Sequence, residues 1–334
     1  MLFNILVVII ISSISLVILL QTKNLSKKYN FFDNPASEPK KIHKYPVSNI
    51  GGLSCLIPFL ISLIISFFLE DYFSKKYIII IFISSFFYFF LGRYDDLKNI
   101  SPNIKFICFV FIFLFLYPLE PNLIVYDLKF KYLDTFIPLN NYSIYFTLFC
   151  LFIFYNSSNF IDGVNGLYAS TIIFWIVSLI FLTKIFSLIF MVVILSLLIF
   201  LYFNLKNKVF FGNSGNAFLT CFVGSAYIFS YNKFNNIYCD EIFFLFLIPG
   251  IDTIRLILER LLKGKSPLEG DNRHLHHIIL KISNDKLVWI FNLFIILMPI
   301  FILKILNNFY SAIIISIITY LLIVYLLPKK SELN

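Results

Sequence analysis

Two adjacent carboxylates, Asp95 and Asp96, close a long apolar run in Leu91-Gly92-Arg93-Tyr94-Asp95-Asp96-Leu97-Lys98. Acids at the edge of a membrane-depth segment are costly to desolvate. A hard cation such as Mg²⁺, carried with phosphate oxygens, offsets that cost. One of the two carboxylates has the chemistry to take a proton from a phosphate acceptor. The plainer alternative is a solvated loop after a helix. A second stretch, Asn156-Ser157-Ser158-Asn159-Phe160-Ile161-Asp162-Gly163-Val164-Asn165-Gly166, holds no Lys or Arg. It offers donors and acceptors for a nucleotide or a metal, or it is a tight polar turn. A third, Phe210-Phe211-Gly212-Asn213-Ser214-Gly215-Asn216, places small residues where a helix would open. Free N–H groups there suit an anion, and Phe210 is suited to stack on a base. The alternative is a Gly-rich turn with an N-cap.

The remaining two stretches are basic. His43-Lys44 precedes Gly51-Gly52. The cations suit a phosphate or plain anchoring, and the glycines allow close backbone approach. The last runs through Pro249-Gly250-Ile251-Asp252-Thr253-Ile254-Arg255 and Gly264-Lys265-Ser266-Pro267 to Asp271-Asn272-Arg273-His274-Leu275-His276-His277. Three of the four histidines of the chain fall in this short segment beside Arg273. No Cys or acid stands at zinc-ligand spacing, so a cationic, hydrogen-bonding clamp on phosphates fits better. Asp252 and Arg255, three apart, are expected to pair on one helix face.

The elements that must position these groups are helices in a membrane. Sixty per cent of the residues are hydrophobic and 13% charged, against about 25% charged in soluble domains. A bilayer core about 30 Å thick takes roughly 20 apolar residues per helix. The expected spans are 2–21, 50–69, 77–92, 104–119, 142–158, 166–183, 186–203, 215–231, 241–258, 287–304 and 309–327. The expected fold is therefore all-α and polytopic, a single domain over 1–334 with about eleven transmembrane helices. With the N-terminus periplasmic and the C-terminus cytoplasmic, the inner loops carry twenty of the twenty-seven Lys and Arg. That bias sets the orientation. The first helix lacks a basic start and a small-residue cleavage site, so it is expected to be retained. Residues Glu120 to Tyr142 are expected to form a small outer hairpin. The five cysteines read as small buried residues. The net charge of +9 is explained by lipid headgroups and topology, without nucleic acid.

This topology puts all five stretches on the cytoplasmic side. Acids for Mg²⁺, cations for phosphates and a polar turn for a nucleotide describe phosphoryl transfer. A transporter or flippase is the rival reading, but its polar groups belong nearer the bilayer midplane. A catalytically silent lipid-binding relative is another.

The motifs, in their order, resemble the bacterial polyprenyl-phosphate N-acetylhexosamine-1-phosphate transferases of glycosyltransferase family 4. The phospho-N-acetylmuramoyl-pentapeptide transferase is a more distant relative. The most specific pieces are Gly-Arg-Tyr-Asp-Asp-Leu-Lys, Asn-Phe-Ile-Asp-Gly-Val-Asn-Gly-Leu and Asp-Asn-Arg-His-Leu-His-His. The resemblance implies a UDP-N-acetylhexosamine donor, undecaprenyl phosphate as acceptor, and Mg²⁺ as cofactor with Mn²⁺ as its substitute. It implies a first membrane step toward O-antigen, lipopolysaccharide or cell-wall polymers at the inner membrane, and leaves a homodimer open. It makes Asp95, Asp96, Asp162, His276 and His277 catalytic. Lys44, His43, Asn159, Asn165, Phe210, Arg273 and His274 would bind substrate, and Asp96, Asp162 and Asn213 the metal. Two positions depart from the family pattern. Asn213 stands where Gly-Asp-Ser-Gly has Asp, and Asn165 where Asp-Gly-x-Asp-Gly has its second Asp. An amide oxygen still ligates Mg²⁺ but brings no charge.

Overall fold

The computed structural model describes residues 2–33, 45–234, 236–264, 273–280 and 287–331. Among these residues are thirteen α-helices and two small antiparallel sheets. The chain divides into two compact units. The first comprises Met1–Leu123 with Ala169–Ala226, and the second Ile124–Tyr168 with Tyr227–Asn334.

In the first unit, α1 (Leu2–Leu20) packs on α3 (Gly51–Leu69) and α8 (Leu188–Asn204), and α3 also packs on α8. Small hydroxyl residues let these helices meet. The buried Ser15 hydroxyl donates to the Ser54 carbonyl at 2.7 Å. Such close small-residue contacts hold helices together where lipid removes the hydrophobic drive. Helix α2 (Thr22–Tyr29) is polar and basic, and it turns 72° away from α1. Strand β1 (Phe32–Asp33) pairs with β2 (Val47–Ser48), with Phe32 opposite Ser48. Helix α4 (Lys75–Lys98) packs between α3 and α5 (Pro102–Leu116). At their starts, Ser74 caps α4 and Ser187 caps α8, each accepting a first-turn N–H. Aromatic packing fills the interior, with Phe59 5.7 Å from Phe218 and 4.7 Å from Phe222.

The second unit begins with the expected hairpin. Strand β3 (Asp127–Phe130) pairs with β4 (Thr135–Pro138), Asp127 opposite Pro138. The unit continues with α6 (Ser143–Ile161), α10 (Cys239–Leu262), α11 (Leu275–Leu280), α12 (Val288–Leu306) and α13 (Phe309–Ser331). Helix α10 packs against α6, α12 and α13, and α11 against α12 and α13. Helices α7 (Leu167–Thr183) and α9 (Gly212–Lys233) contribute to both stretches of chain.

Each of the eleven expected apolar segments is a helix. Among the described residues, five are long and apolar enough to cross a membrane: α3, α4, α12, α13 over its first 18 residues, and α5 continued to Leu119. The bent pair of α1 and α2 makes a sixth. Helices α7 and α8 are apolar but shorter, at 17 residues each. Helices α6, α9 and α10 fall outside that set. In two of them the sequence explains why: α9 opens on Gly212-Asn213-Ser214-Gly215-Asn216, and α10 holds Asp252, Arg255, Glu259 and Arg260. The protein is a helical membrane protein whose polar residues concentrate in particular helices.

Candidate active site

The acidic pair ends α4. Asn99, at a φ of 48°, closes the helix in the left-handed conformation, and its N–H returns to the Asp95 carbonyl at 2.8 Å. Asn tolerates this conformation better than most side chains. The next N–H, of Ile100, donates to Asp95 Oδ1 at 3.1 Å. Lys105 on α5 brings its Nζ to 2.6 Å from Asp95 Oδ2. Asp95 is thus buried, with its charge offset by a cation one helix on.

Asp96 faces different partners. Its Oδ1 accepts the Asn213 N–H at 2.9 Å, and its Oδ2 the Ser214 N–H at 3.2 Å. These are first-turn N–H groups of α9, which have no partner within their own helix and carry its positive dipole end. The small residues opening α9 do form an anion site, and the anion seated in it is Asp96. Glycines make the approach possible. A methyl at Gly92 would overlap the Asn213 carbonyl and lie 2.6 Å from Ser214 Cα. A methyl at Gly52 would lie 2.5 Å from Gly215 Cα. Gly212 has a φ of 79°. Phe210 is half-buried. Its N–H donates to the Ser48 carbonyl at 2.7 Å, and its carbonyl accepts from Gly51 at 3.1 Å. Arg93 lies over the Phe31 ring, 3.7 Å from its centroid, and donates to the Tyr29 and Asn30 carbonyls at 3.0 and 2.9 Å. It thereby binds the C-terminal end of α2 to the acidic helix. Three of the five polar stretches therefore meet in the first unit, through their described residues. His43 and Lys44 lie outside the described residues.

The other two meet in the second unit. Helix α6 runs through Asn159 to Ile161, with Asp162 at its C-cap, and Gly166 turns the chain at a φ of 85°. Asp162 is exposed, and Asn159 and Asn165 are half-buried. A methyl at Gly163 would overlap the imidazole of His276. His276 is 4% exposed, and its Nε2 makes no hydrogen bond with the described residues. Burial, then the neighbouring His277 and His274, holds it well below the ordinary histidine value, so it is neutral. Behind it, His274 Nδ1 lies 2.9 Å from Asp252 Oδ2. The expected Asp252–Arg255 pair is present at 3.0 Å, and Arg255 also meets Glu259 at 2.7 Å. Arg273 meets Glu259 at 2.8 Å, which offsets part of its charge. His277 is half-buried with its ring 4.2 Å from that of His276. Asp271 and Asn272 lie outside the described residues.

Spacing did not reveal Lys105, Glu259 or Tyr320 as partners of these groups. Two of them left a signal. Lys105 is a cation at the head of the apolar run Phe106–Leu116, and Tyr320 is a fully buried hydroxyl in an apolar helix.

The donor set fits a hard cation. Among the described residues no three His, Cys, Asp or Glu side chains gather as a metal cage. Mg²⁺ is commonly held by one or two carboxylates, water and substrate phosphates, without such a cage. Each Asp96 oxygen accepts one N–H and keeps lone-pair capacity. In the same unit Asn213 adds an amide oxygen, and Asp162, exposed, belongs to the second unit.

Carboxylates and imidazoles lie at helix ends of this helical membrane protein, the residue types that acid–base and phosphoryl chemistry use. Residues 78–231 match the family model described as glycosyl transferase family 4. That region carries Asp95, Asp96, Asp162 and Asn213, and the histidines lie beyond it. The undecaprenyl-phosphate alpha-N-acetylglucosaminyl 1-phosphate transferases of Escherichia coli O157:H7 and Shigella flexneri are each 22% identical over 274 residues. The matches cover 78% of this chain and 71% of each relative. The transferase of that name from Salmonella typhi is 22% identical over 257 residues, 72% of this chain and 67% of its own. These matches bear out the resemblance read from the motifs: residues 78–231 are similar to glycosyl transferase family 4, and the chain is an enzyme of the sugar-1-phosphate transferase kind.

Proposed function

We propose that this protein transfers an N-acetylhexosamine 1-phosphate, by default GlcNAc-1-phosphate, from its UDP-linked form to undecaprenyl phosphate. The products are UMP and a lipid-diphosphate sugar, made on the cytoplasmic face of a bacterial inner membrane as the first membrane step of a surface polysaccharide. The observation that carries this reading is the seating of Asp96 on the opening N–H groups of α9, beside the Asp95–Lys105 pair and inside the matched region. The relatives' names support the acceptor lipid and the amino sugar.

Phosphoryl transfer asks the protein mainly for positioning and charge stabilisation. An oxygen of the acceptor phosphate attacks the β-phosphorus of the donor, and the bond to the α-phosphate oxygen breaks with its electron pair leaving on UMP. Asp95, steadied by Lys105, orients the attacking oxygen or takes its proton. Asp96, Asp162 and Asn213 would hold Mg²⁺, or Mn²⁺ in its place, which supplies charge neutralisation on the diphosphate. Asn159, Asn165, Phe210, His43 and Lys44 bind the nucleotide sugar. Arg273, His274, His276 and His277 serve the phosphates. In this reading residues 1–334 work as one domain.

The test is purified protein in lipid vesicles with undecaprenyl phosphate and labelled UDP-GlcNAc, then a panel of other UDP-amino sugars. Label is expected in the lipid phase with one UMP released per label, and a chelator is expected to stop both. Folded protein that binds the lipid yet releases no UMP from any donor in the panel would overturn the proposal and leave the silent-relative reading. Movement of lipid-linked sugar across sealed vesicles without UMP would favour the flippase.

A further inference from the structure

Behind the histidines lies a layer that the reaction scheme above does not use. Asp252 is 7% exposed, and its carboxylate faces four donors. Oδ2 lies 2.9 Å from His274 Nδ1 and accepts the Leu275 N–H at 3.3 Å. Oδ1 accepts the Tyr320 hydroxyl at 2.6 Å and Arg255 Nη2 at 3.0 Å. Tyr320 reaches in from α13, the last helix, and its oxygen in turn accepts Arg255 Nε at 2.8 Å. Arg255 Nη2 also donates to the Arg273 carbonyl at 2.8 Å, which ties down the start of the histidine segment.

We infer that Asp252 and Tyr320 are positioning residues for His274, fixing its ring in the tautomer that carries the proton on Nδ1. A carboxylate has no proton to give, so Nδ1 must be the donor in this pair. Nε2 is then the unprotonated ring nitrogen not engaged by Asp252, and it is the atom left to take a proton, or accept a hydrogen bond, from a protonated acceptor phosphate or a water. The use of that atom rests on the transferase reading; the tautomer does not. With four donors on two oxygens, the lone pairs of Asp252 are saturated, so it serves neither as a metal ligand nor as a base in its own right. The charged and titratable groups around it are Arg255 and Glu259 on its own helix, Arg273, His276 and His277 on the histidine segment, and Tyr320 on α13. Arg255 offsets Asp252 and Arg273 offsets Glu259. His276 lies parallel to His274 with centroids 5.7 Å apart and packs on Gly163, and among the described residues its Nε2 has no hydrogen-bond partner. His274 and His276 are therefore not equivalent: the orientation of His274 is set by an acid.

The test is ¹⁵N-histidine NMR of the full chain in detergent, with His274 identified by its loss in His274→Gln. The wild type is expected to show His274 protonated on Nδ1, with slow exchange of that proton. Asp252→Asn is expected to shift it toward the Nε2-protonated form, because an amide NH₂ donates where the carboxylate only accepted. Tyr320→Phe keeps the carboxylate but removes one restraint, so the Nδ1 proton is expected to exchange faster. In transfer assays, kcat is expected to fall on the order of 10²-fold for Asp252→Asn and about tenfold for Tyr320→Phe, with KM for the UDP-sugar within about twofold. If Asp252→Asn does not fold, Tyr320→Phe decides. An unchanged tautomer and exchange rate in the folded variants would overturn the inference. A wild type that shows the tautomer but transfers no sugar would sink the transferase reading instead.

Discussion

The two clusters of polar residues are built by opposite means. In the first unit the main chain does the holding: Asp96 accepts two backbone N–H groups, Phe210 and Gly51 exchange a backbone bond, and Gly52, Gly92 and Gly215 let backbones touch. In the second unit side chains hold side chains, through Asp252, Arg255, Glu259, Arg273, His274 and Tyr320. A backbone-built cluster is sensitive above all to added volume. A side-chain network reverses that, since removing one buried member leaves several charged or polar groups without partners.

This contrast is open to direct attack. Asp252→Ala is expected to be the most damaging single change, costing about 3–5 kcal/mol because Arg255 and its neighbours lose their buried counter-charge. Thermal unfolding in detergent measures it, and a midpoint close to wild type would break the network picture. Gly92→Val is expected to cost about 1–3 kcal/mol, because the atoms it meets are main chain of Asn213 and Ser214 and have nowhere to go. Gly163→Ala meets only the His276 ring, so its cost is expected to be smaller, about 1 kcal/mol. Equal losses at the two positions would remove the distinction. A pH series sharpens it further. His276 is held well below its ordinary value of 6.5 by burial and by His277 and His274. Below pH 6.5 the unfolded chain therefore takes up a proton that the folded chain does not. Stability is expected to decline by about 1.4 kcal/mol per pH unit from this group as pH falls, and His276→Gln should lose that component. The smallest effect on stability is expected at Asp96→Asn, about 1 kcal/mol, since Asp96 is only half-buried and Asn keeps one acceptor for the α9 N–H groups while its NH₂ faces the other.

Much of this architecture was readable in advance, for reasons that differ by element. The apolar segments announced their helices by length and hydropathy. The hairpin at Asp127–Pro138 showed as a long stretch between apolar runs. Asp252 and Arg255 were legible as a pair because their spacing matches one helix face. Gly51-Gly52 was legible as a place of close approach. The partners themselves were not. Nothing in the spacing of Lys105, Tyr320 or Glu259 says that they meet Asp95, Asp252 and Arg273, because those contacts depend on how separate helices pack. Nor does Asn213 reveal in sequence that its main chain, more than its amide, engages Asp96. The count of eleven spans went beyond the five or six helices that are long and apolar enough among the described residues, in part because α10 carries acids and arginines along an otherwise apolar helix.

The most direct measurement is UMP release from UDP-GlcNAc, with undecaprenyl phosphate and Mg²⁺, by wild type, Asp96→Asn and His274→Gln in matched vesicles. One variant disables the backbone-built cluster and the other the side-chain-built one. Both are expected to remain folded, Asp96→Asn with a midpoint near wild type and His274→Gln with a lowered one, and to lose turnover on the order of 100-fold or more. Wild-type turnover in either well-folded variant would contradict a transfer that depends on both clusters.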